Sequence, residues 1–384
     1  MAYQGLKNNT PFAAELALLA DEEGRDVLLV LAKATYTIII ESMTHGATVP
    51  MKEHAYLHLG KHQLPINPAG DYYGEPGKTS MKHAPEYNFA KLGTDIALIG
   101  HAHAPNGTPV TQLDVALMVG PVSKTVRVFG DRLWQCQRTT RYTPWRKTSW
   151  RMTPPQAFTS LPLIYERAFG GADTTPEHDQ DKADEPRNPV GTGLIASHSH
   201  LTDVPLPNLE DPQQLIQRVE DRPTPAGFGF ISPDWEPRRA NAGTCDNAWQ
   251  TTRMPLLPTD FDRRYLNAAH PDLQVKGYLR GDESVDIANA SPQGRLAFSL
   301  PGCKPYITVA MANESPTVLE SQLDSLIINT DDNTVQLLWC GRMDIDQRIY
   351  DLEKVQLMLS SVASHTARTA AHADRLKQHD QVFG

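Results

Sequence analysis

The chain is poor in cysteine and lacks long apolar runs. Its four cysteines lie far apart and form no CxxC pair, which excludes a zinc ribbon and a thioredoxin-like redox motif. The longest apolar run, residues 27–32, is far shorter than a membrane-spanning helix requires. The N-terminus shows no basic stretch followed by an apolar segment, so the sequence predicts no secretory signal. We therefore expect a soluble, cytoplasmic protein with no membrane partner.

Recognisable catalytic motifs are also missing. The sequence contains no GxSxG, no HExxH and no phosphate-binding loop with its lysine. Two His-x-His pairs, His101 with His103 and His198 with His200, would each place two imidazoles on one face of a strand. A zinc site needs three or four ligands, however, and no such set is recognisable from the spacing. We therefore predict no metal, no cofactor and no catalytic residue, and hence a protein that is not an enzyme.

The chain has fewer basic than acidic side chains. Thirty-six lysines and arginines stand against 45 acidic residues, so the formal net charge is -9. This balance argues against a general nucleic-acid-binding role. Hydrophobic residues make up 40% of the 384 positions, which is enough for a sizeable core. The length predicts about two or three domains.

Strand signals dominate both ends of the chain. Residues 26–40 are rich in β-branched and aliphatic side chains, and short apolar stretches separated by turn formers return from residue 273. Further on, apolar residues recur every three or four positions, which predicts one amphipathic helix between Asp346 and Gln378. We predict a mainly β fold of two sandwich- or barrel-like β-rich lobes, with a long loop-rich central region and a C-terminal α-helix.

These patterns divide the chain into four segments. They are an N-terminal β-rich lobe (1–142), a loop-rich central region with short helices (143–272), a C-terminal β-rich segment (273–342) and a helical tail (343–384). In the first segment, residues 112–119 and 125–129 predict a hairpin, and the first of these strands is apolar on both faces, which predicts burial on both sides. In the central region, short helices are expected after Asp211 and over residues 260–269.

The central block, residues 161–262, combines turn formers with aromatics and arginines. Sixteen of the 30 prolines lie between Pro144 and Pro258. Disordered segments are poor in aromatics, so this composition favours a structured loop system made for contact. Tryptophan and arginine are enriched at binding hot spots. We predict that a partner-binding cluster is formed by Trp235, Arg238, Arg239, Trp249 and Arg253.

Ten short motifs occur in order along the chain. They are VLAKATYTI (30–38), YYGEP (72–76), KLGTDIALIGHAHAP (91–105), VFGDRLW (128–134), YERAFGG (165–171), NPVGTG (188–193), LPNLE (206–210), PAGFGFISPDWEPR (225–238), AGTCDNAW (242–249) and LPTDFD (257–262). Each is weak alone, but the ordered series is specific. Over about residues 26–342 it resembles the bacterial type VI secretion adaptor family, long catalogued only as a domain of unknown function.

That resemblance implies a binding role. Similar proteins act as cytoplasmic chaperones or adaptors that hold a toxic effector and help to load it onto the VgrG spike, often with a PAAR-type tip. The family has no catalytic motif that transfers to this sequence. Members often bear a pentapeptide-repeat extension, in place of which this chain has the predicted helical tail. Cys245 departs from the family pattern, because an aromatic residue is expected at that position.

Two other functions remain open at this point. One is a metal- or carboxylate-dependent hydrolase on a β scaffold, in which His101, His103, His198 or His200 would hold zinc. The other is a carbohydrate-binding β-sandwich that uses Trp235 and Trp249 as stacking platforms. Bound zinc would favour the hydrolase, and a response of tryptophan fluorescence to sugars would favour the carbohydrate-binding protein.

Overall fold

The computed structural model describes residues 5–43, 52–138, 148–173, 183–195 and 203–359. In these residues the fold is mainly β, as the sequence predicts, with one short α-helix. None of their helices is long and apolar enough to cross a membrane.

Ten strands form between Leu6 and Phe129. They are β1 (Leu6–Asn8), β2 (Ala13–Ala20), β3 (Asp26–Met43), β4 (Lys52–Leu59), β5 (Asp71–Tyr72), β6 (Met81–His83), β7 (Asp95–Ile99), β8 (His101–His103), β9 (Gln112–Val119) and β10 (Val122–Phe129). Short strands follow, namely β11 (Leu133–Arg138) and, in the central region, β12 (Thr148–Met152), β13 (Ser160–Pro162), β14 (Phe169–Gly170), β15 (Ala172–Asp173), β16 (Ala183–Asp184), β17 (Thr192–Gly193), β18 (Val204–Pro205) and β19 (Leu209–Glu210).

The last part of the described chain adds seven strands. They are β20 (Ser284–Ala288), β21 (Arg295–Ser299), β22 (Pro305–Met311), β23 (Thr317–Leu319), β24 (Gln322–Asn329), β25 (Thr334–Asp344) and β26 (Leu352–Leu359). The α-helix is α1 (Asn247–Thr252), and 3-10 turns cover Pro105–Gly107, Tyr165–Arg167, Arg239–Asn241, Arg263–Leu266, Pro271–Leu273 and Arg348–Asp351.

Three sheets carry most of the core. The largest has the order β2-β3-β25-β24-β7, and β4 pairs with the second half of β3. A five-stranded sheet has the order β19-β10-β9-β20-β21, and a four-stranded sheet has the order β1-β26-β22-β23. Strands from residues 1–142 and 273–342 therefore pair within the same sheets, since β3 is bonded to β25 and β9 to β20.

Strand β3 is the centre of the largest sheet. Its apolar run explains this position, because residues 28–32 are completely buried on both faces of the sheet. Leu28 and Val30 belong to the main core, whereas Leu29 and Leu31 pack in a second apolar cluster on the opposite face. A buried stretch of this kind tolerates few polar residues, and after Asp26 at the start of β3 the next polar side chain is Lys33.

The predicted hairpin is present, with a tighter turn than expected. Strand β10 begins at Val122, so only Gly120 and Pro121 join it to β9. Gly120 has φ = 51°, a left-handed conformation that glycine adopts without strain. The prediction that β9 is buried on both faces is wrong. Val115, Leu117 and Val119 face the core, but Met118 on the other face is 45% exposed.

The prediction of a helix from Asp346 is wrong for the residues that the structure describes. A 3-10 turn at Arg348–Asp351 leads into β26, which pairs with both β22 and β1. The reason is a period of two, since Val355 and Leu357 are fully buried while Lys354 and Met358 on the other face are exposed. The rest of the predicted helix, residues 360–378, lies outside the described residues.

Two further helix predictions in the central region are corrected. After Asp211 the chain forms turns, because the Asp211 carboxylate accepts from the Gln213 amide instead of opening an α-helix. Between residues 260 and 269 only Arg263–Leu266 is helical, as a 3-10 turn capped by Asp262. The α-helix that does form, α1, is capped by Asp246, whose carboxylate accepts from the Trp249 amide.

Candidate functional site

Two members of the predicted partner-binding cluster are interior residues. Trp235 is 2% exposed and packs edge-to-face on Tyr165, with 5.8 Å between the ring centroids. The guanidinium of Arg238 donates to the carbonyls of Ile231 (2.9 Å) and Tyr265 (2.8 Å), and burial lowers the Arg238 pKa. This corrects the assignment of both residues to a contact surface, since neither side chain is presented to a partner or to a stacking sugar.

The other three predicted residues lie nearer the surface. Arg239 is exposed and pairs with Glu236 at 3.0 Å. Trp249 is half-buried on α1, and its indole N–H donates to the Leu256 carbonyl at 2.8 Å. Arg253 is half-buried and donates to the Glu22 carbonyl at 3.0 Å. Trp249 and Arg253 thus hold loops in place, and Arg239 is the member of the cluster whose side chain is most accessible to a partner.

The His-x-His pair on β8 lines a small cavity of about 410 Å³. Nδ1 of His101 lies 2.8 Å from the Asp331 carboxylate, and the rings of His101 and His103 are 6.4 Å apart. Among the described residues, neither histidine belongs to a group of three ligands close enough to share a metal ion. His198 and His200 lie outside the described residues.

A more extensive site lies on the outer face of β3, which we call the β3 groove. It is a cavity of about 980 Å³. Its floor is formed where β3 pairs with β25, with Thr35 opposite Gln336 and Thr37 opposite Thr334. The walls come from the segment 58–68, from β5 and β6, and from the β24–β25 turn. Their lining residues are His58, Leu59, Gly60, Lys61, His62, Leu64, Pro65, Ile66, Asn67, Pro68, Asp71, Lys82, His83, Asn329 and Asp332.

One wall of the β3 groove is fixed to β3 by a glutamine side chain. The amide of Gln63 accepts from the Thr35 N–H (2.7 Å) and donates to the Thr35 carbonyl (3.1 Å). Gln63 therefore occupies the gap between β2 and β4 on the edge of β3 that faces away from β25, where neither strand pairs with Thr35. The Thr35 hydroxyl also accepts from the Leu64 amide at 3.1 Å. These bonds satisfy backbone groups that would otherwise be left open.

A buried ion pair fixes the same wall further along. Lys33 lies 2.7 Å from Glu86, and both side chains are 5% exposed. The Lys33 ammonium also donates to the Pro65 carbonyl at 3.0 Å, and the Glu86 carboxylate accepts from the Asn67 amide at 2.6 Å. Because a buried pair is stable only when its remaining hydrogen-bonding capacity is met, these contacts bind the segment 60–68 to the sheet. The groove is thus preformed.

The groove offers apolar surface together with polar groups that are open to a ligand. Leu64 is 41% exposed, and within the described residues Lys61 and Lys82 have no ion-pair partner. Burial, followed by the nearby charges of Lys82 and Lys33, lowers the pKa of His83, so its ring is neutral at pH 7. Nδ1 of His83 makes no hydrogen bond and lies 3.6 Å from the Asp71 carboxylate. This mixture suits a peptide segment.

A separate polar cavity of about 780 Å³ lies against β10. There the Lys124 ammonium is 2.7 Å from the Asp272 carboxylate and 3.2 Å from Nδ1 of His270. Nδ1 of His270 also accepts from the Asp272 amide and caps the 3-10 turn Pro271–Leu273. Burial, and then the Lys124 charge, lower the His270 pKa to about 4. The imidazole is therefore neutral and structural in this fold.

This histidine predicts a loss of stability in acid. Unfolded His270 takes up a proton near its ordinary pKa of 6.5, whereas the folded ring does so only near 4. The contribution of the neutral ring to the free energy of unfolding is therefore complete above pH 6.5. It decreases as the pH falls, and about 3 kcal/mol is lost at pH 4. Urea unfolding at pH 7 and pH 4 would measure it. His270→Asn keeps a capping side chain but does not titrate, so an equally steep fall in that variant would contradict the assignment.

Sequence reasoning missed the β3 groove, although one signal was present. Lys33, Thr35 and Thr37 are alternate polar residues in a strand that otherwise reads as buried. Such alternation indicates a face that is not part of the apolar core. The covering segment 60–68 has no strand or helix period, so its position depends on contacts with residues 28 to 32 positions away.

The fold and the groove together define a β-rich protein with a preformed groove on its largest sheet. Residues 23–340 match the model of a family described as "Uncharacterized protein conserved in bacteria (DUF2169)". This match spans most of the chain, and the protein belongs to that family. Neither the curated proteins nor the solved structures gave a significant match.

Proposed function

We propose that this protein is a cytoplasmic chaperone or adaptor that binds a type VI secretion effector and helps to load it onto the VgrG spike, with a PAAR-type tip as a further partner. The β3 groove carries the proposal. Its walls are held by Gln63 and by the Lys33–Glu86 pair before any ligand arrives. The ordered motifs that resemble the type VI adaptor family support the choice of cargo and spike.

The chemistry of the groove fits an extended segment of a protein cargo. Its floor presents the hydroxyls of Thr37 and Thr334, and its wall presents the exposed side chain of Leu64. A peptide would bury its apolar side chains against the wall and bond its backbone to the hydroxyls and to Lys61. Because the groove is preformed, binding needs little ordering of the adaptor itself, and more of the interaction energy remains as affinity.

Blocking the groove tests the proposal. Thr37→Trp places an indole on the floor at a half-buried position of β3, where an aromatic side chain is compatible with a strand. We expect an apparent affinity for the cargo at least about tenfold lower, equivalent to about 1.4 kcal/mol. The measurement is a tagged pull-down from the native host with quantitative mass spectrometry, followed by titration with the purified effector that wild type retains.

The matched control is Ser299→Trp, which adds the same side chain at an exposed position of β21. It should retain effector and spike as wild type does. Retention of both by a folded Thr37→Trp variant would remove the groove from the proposal. If wild type retains neither a type VI effector nor VgrG, the adaptor function itself is refuted.

A further inference from the structure

Among the described residues, strand β2 is an edge strand of the largest sheet. It pairs with β3 on one side and is the outermost strand on the other. Seven of its eight residues, in the sequence AAELALLA, are alanine or leucine. None of the eight is buried, and Leu18 is 41% exposed. An apolar strand of this length at an open edge is a template for pairing with another strand.

The register of β2 on β3 shows which backbone groups are open. The Asp21 amide donates to the Arg25 carbonyl, which makes this pair a hydrogen-bonded one. In antiparallel strands such pairs alternate with non-bonded pairs. Counting back from Asp21, the odd-numbered residues of β2 form backbone hydrogen bonds with β3. The N–H and C=O groups of the even-numbered residues, Ala14, Leu16, Leu18 and Ala20, therefore point away from β3. Within the described residues, none of these groups has a hydrogen-bond partner.

The edge also lacks the features that usually protect an open strand. It contains no proline, no lysine and no bulge along its register with β3. Its one charged residue is Glu15, whose carboxylate accepts a hydrogen bond from the Tyr87 hydroxyl. That contact holds Glu15 against its own chain, so the charge does not repel an approaching strand.

We infer that β2 pairs with β2 of a second copy of this chain, to form a two-fold symmetric dimer with one continuous sheet. An antiparallel register centred on Ala17 places Leu16 opposite the partner's Leu18, and Ala14 opposite the partner's Ala20. Every outward N–H and C=O group of β2 is then bonded, and each Glu15 faces a leucine instead of the other glutamate. The strand is complementary to itself, as a two-fold interface requires.

Backbone and side-chain contributions to this interface can be separated at one position. Leu18→Pro removes an outward N–H, and proline is tolerated on an edge strand because the bonds to β3 are not affected. Leu18→Ala keeps the N–H and removes only the leucine side chain. Sedimentation velocity at several concentrations measures the mass. We expect wild type at about 85 kDa, twice the 42.6 kDa chain, and Leu18→Pro at the monomer mass.

Leu18→Ala should remain a dimer, with a dissociation constant raised by about tenfold at most, because it loses only part of the buried apolar surface. Should Leu18→Pro fail to fold, Leu18→Lys places a charge at the same edge and is also expected to be monomeric. A wild-type protein that is monomeric up to about 100 μM, or a folded Leu18→Pro variant that stays dimeric, would overturn the inference.

Hydrogen exchange distinguishes a second copy from another partner. The amides of Leu16 and Leu18 should exchange more slowly when the purified chain is concentrated enough to dimerise. Protection that appears only when the effector is added would assign the edge to the cargo and would refute self-pairing. The test is independent of the proposed function, because Thr37→Trp in the β3 groove should leave the dimer intact.

Discussion

Replacement of Trp235 by alanine is expected to lower the free energy of unfolding by about 4 kcal/mol, as for other large aromatic side chains removed from a core. The indole is among the largest fully buried side chains, and its edge contact with Tyr165 adds to the apolar area that it buries. Urea unfolding followed by circular dichroism measures the change. The result would establish Trp235 as a core residue of the central region.

Two variants serve as controls for this prediction. Trp235→Phe keeps an aromatic ring against Tyr165 and should lose markedly less stability than the alanine variant. Trp249→Ala removes a half-buried indole on α1 and should also have a smaller effect. The double change Trp235→Ala with Arg238→Ala should unfold the protein, because it also leaves the carbonyls of Ile231 and Tyr265 without their donor. A stable, fully folded double variant would contradict the assignment of both residues to the interior.

Asp324→Ala is expected to cost about 4 kcal/mol for a different reason. Asp324 is fully buried at a bulge in β24 and forms an ion pair with Arg342 of β25, at 3.2 Å from Nη1 of Arg342 to Oδ1. Removal of the carboxylate leaves a guanidinium with little access to water and without its counter-charge, which is more costly than loss of the pair as a whole. The midpoint of urea unfolding should therefore fall strongly.

An exposed ion pair of the same type provides the matched control. Asp286 and Arg295 are joined across β20 and β21, but the Arg295 side chain is 73% exposed. Asp286→Ala should therefore change the unfolding midpoint far less than Asp324→Ala, because water solvates the freed guanidinium. Similar effects of the two substitutions would show that burial of the Arg342–Asp324 pair does not determine its contribution.

The strands could be predicted where local pattern and tertiary environment agree. The run of aliphatic and β-branched residues from Asp26 is β3, and the turn formers at Gly120 and Pro121 join a hairpin. The helix predicted from Asp346 is wrong as far as Leu359, because the three- to four-residue spacing combined residues from two different elements, the 3-10 turn and β26. Pairing of β26 with β22 and β1 then selected the strand. Tertiary contacts outweighed a weak local period.

The candidate site was less predictable than the fold. Tryptophan is common both at hot spots and in protein interiors, so the residue type did not show where Trp235 lies. Arginine is rarely buried, and the burial of Arg238 depends on the carbonyls of Ile231 and Tyr265, which local sequence does not bring together. The β3 groove depends on Gln63, which reaches a backbone 28 residues away, and on a lysine and a glutamate that are 53 positions apart in sequence. No local pattern encodes such distant contacts.

Local sequence patterns were sufficient to specify a mainly β protein, because the period of two and the β-branched runs favour strands before any tertiary contact exists. The match of residues 23–340 to the bacterial family likewise depends on the sequence alone. Three features required the folded structure: the cover over the polar face of β3, the burial of Trp235, and, in the described part of the chain, the unpaired edge of β2. These features depend on which segments meet in space, and that is set by burial and long-range hydrogen bonding summed over the whole chain.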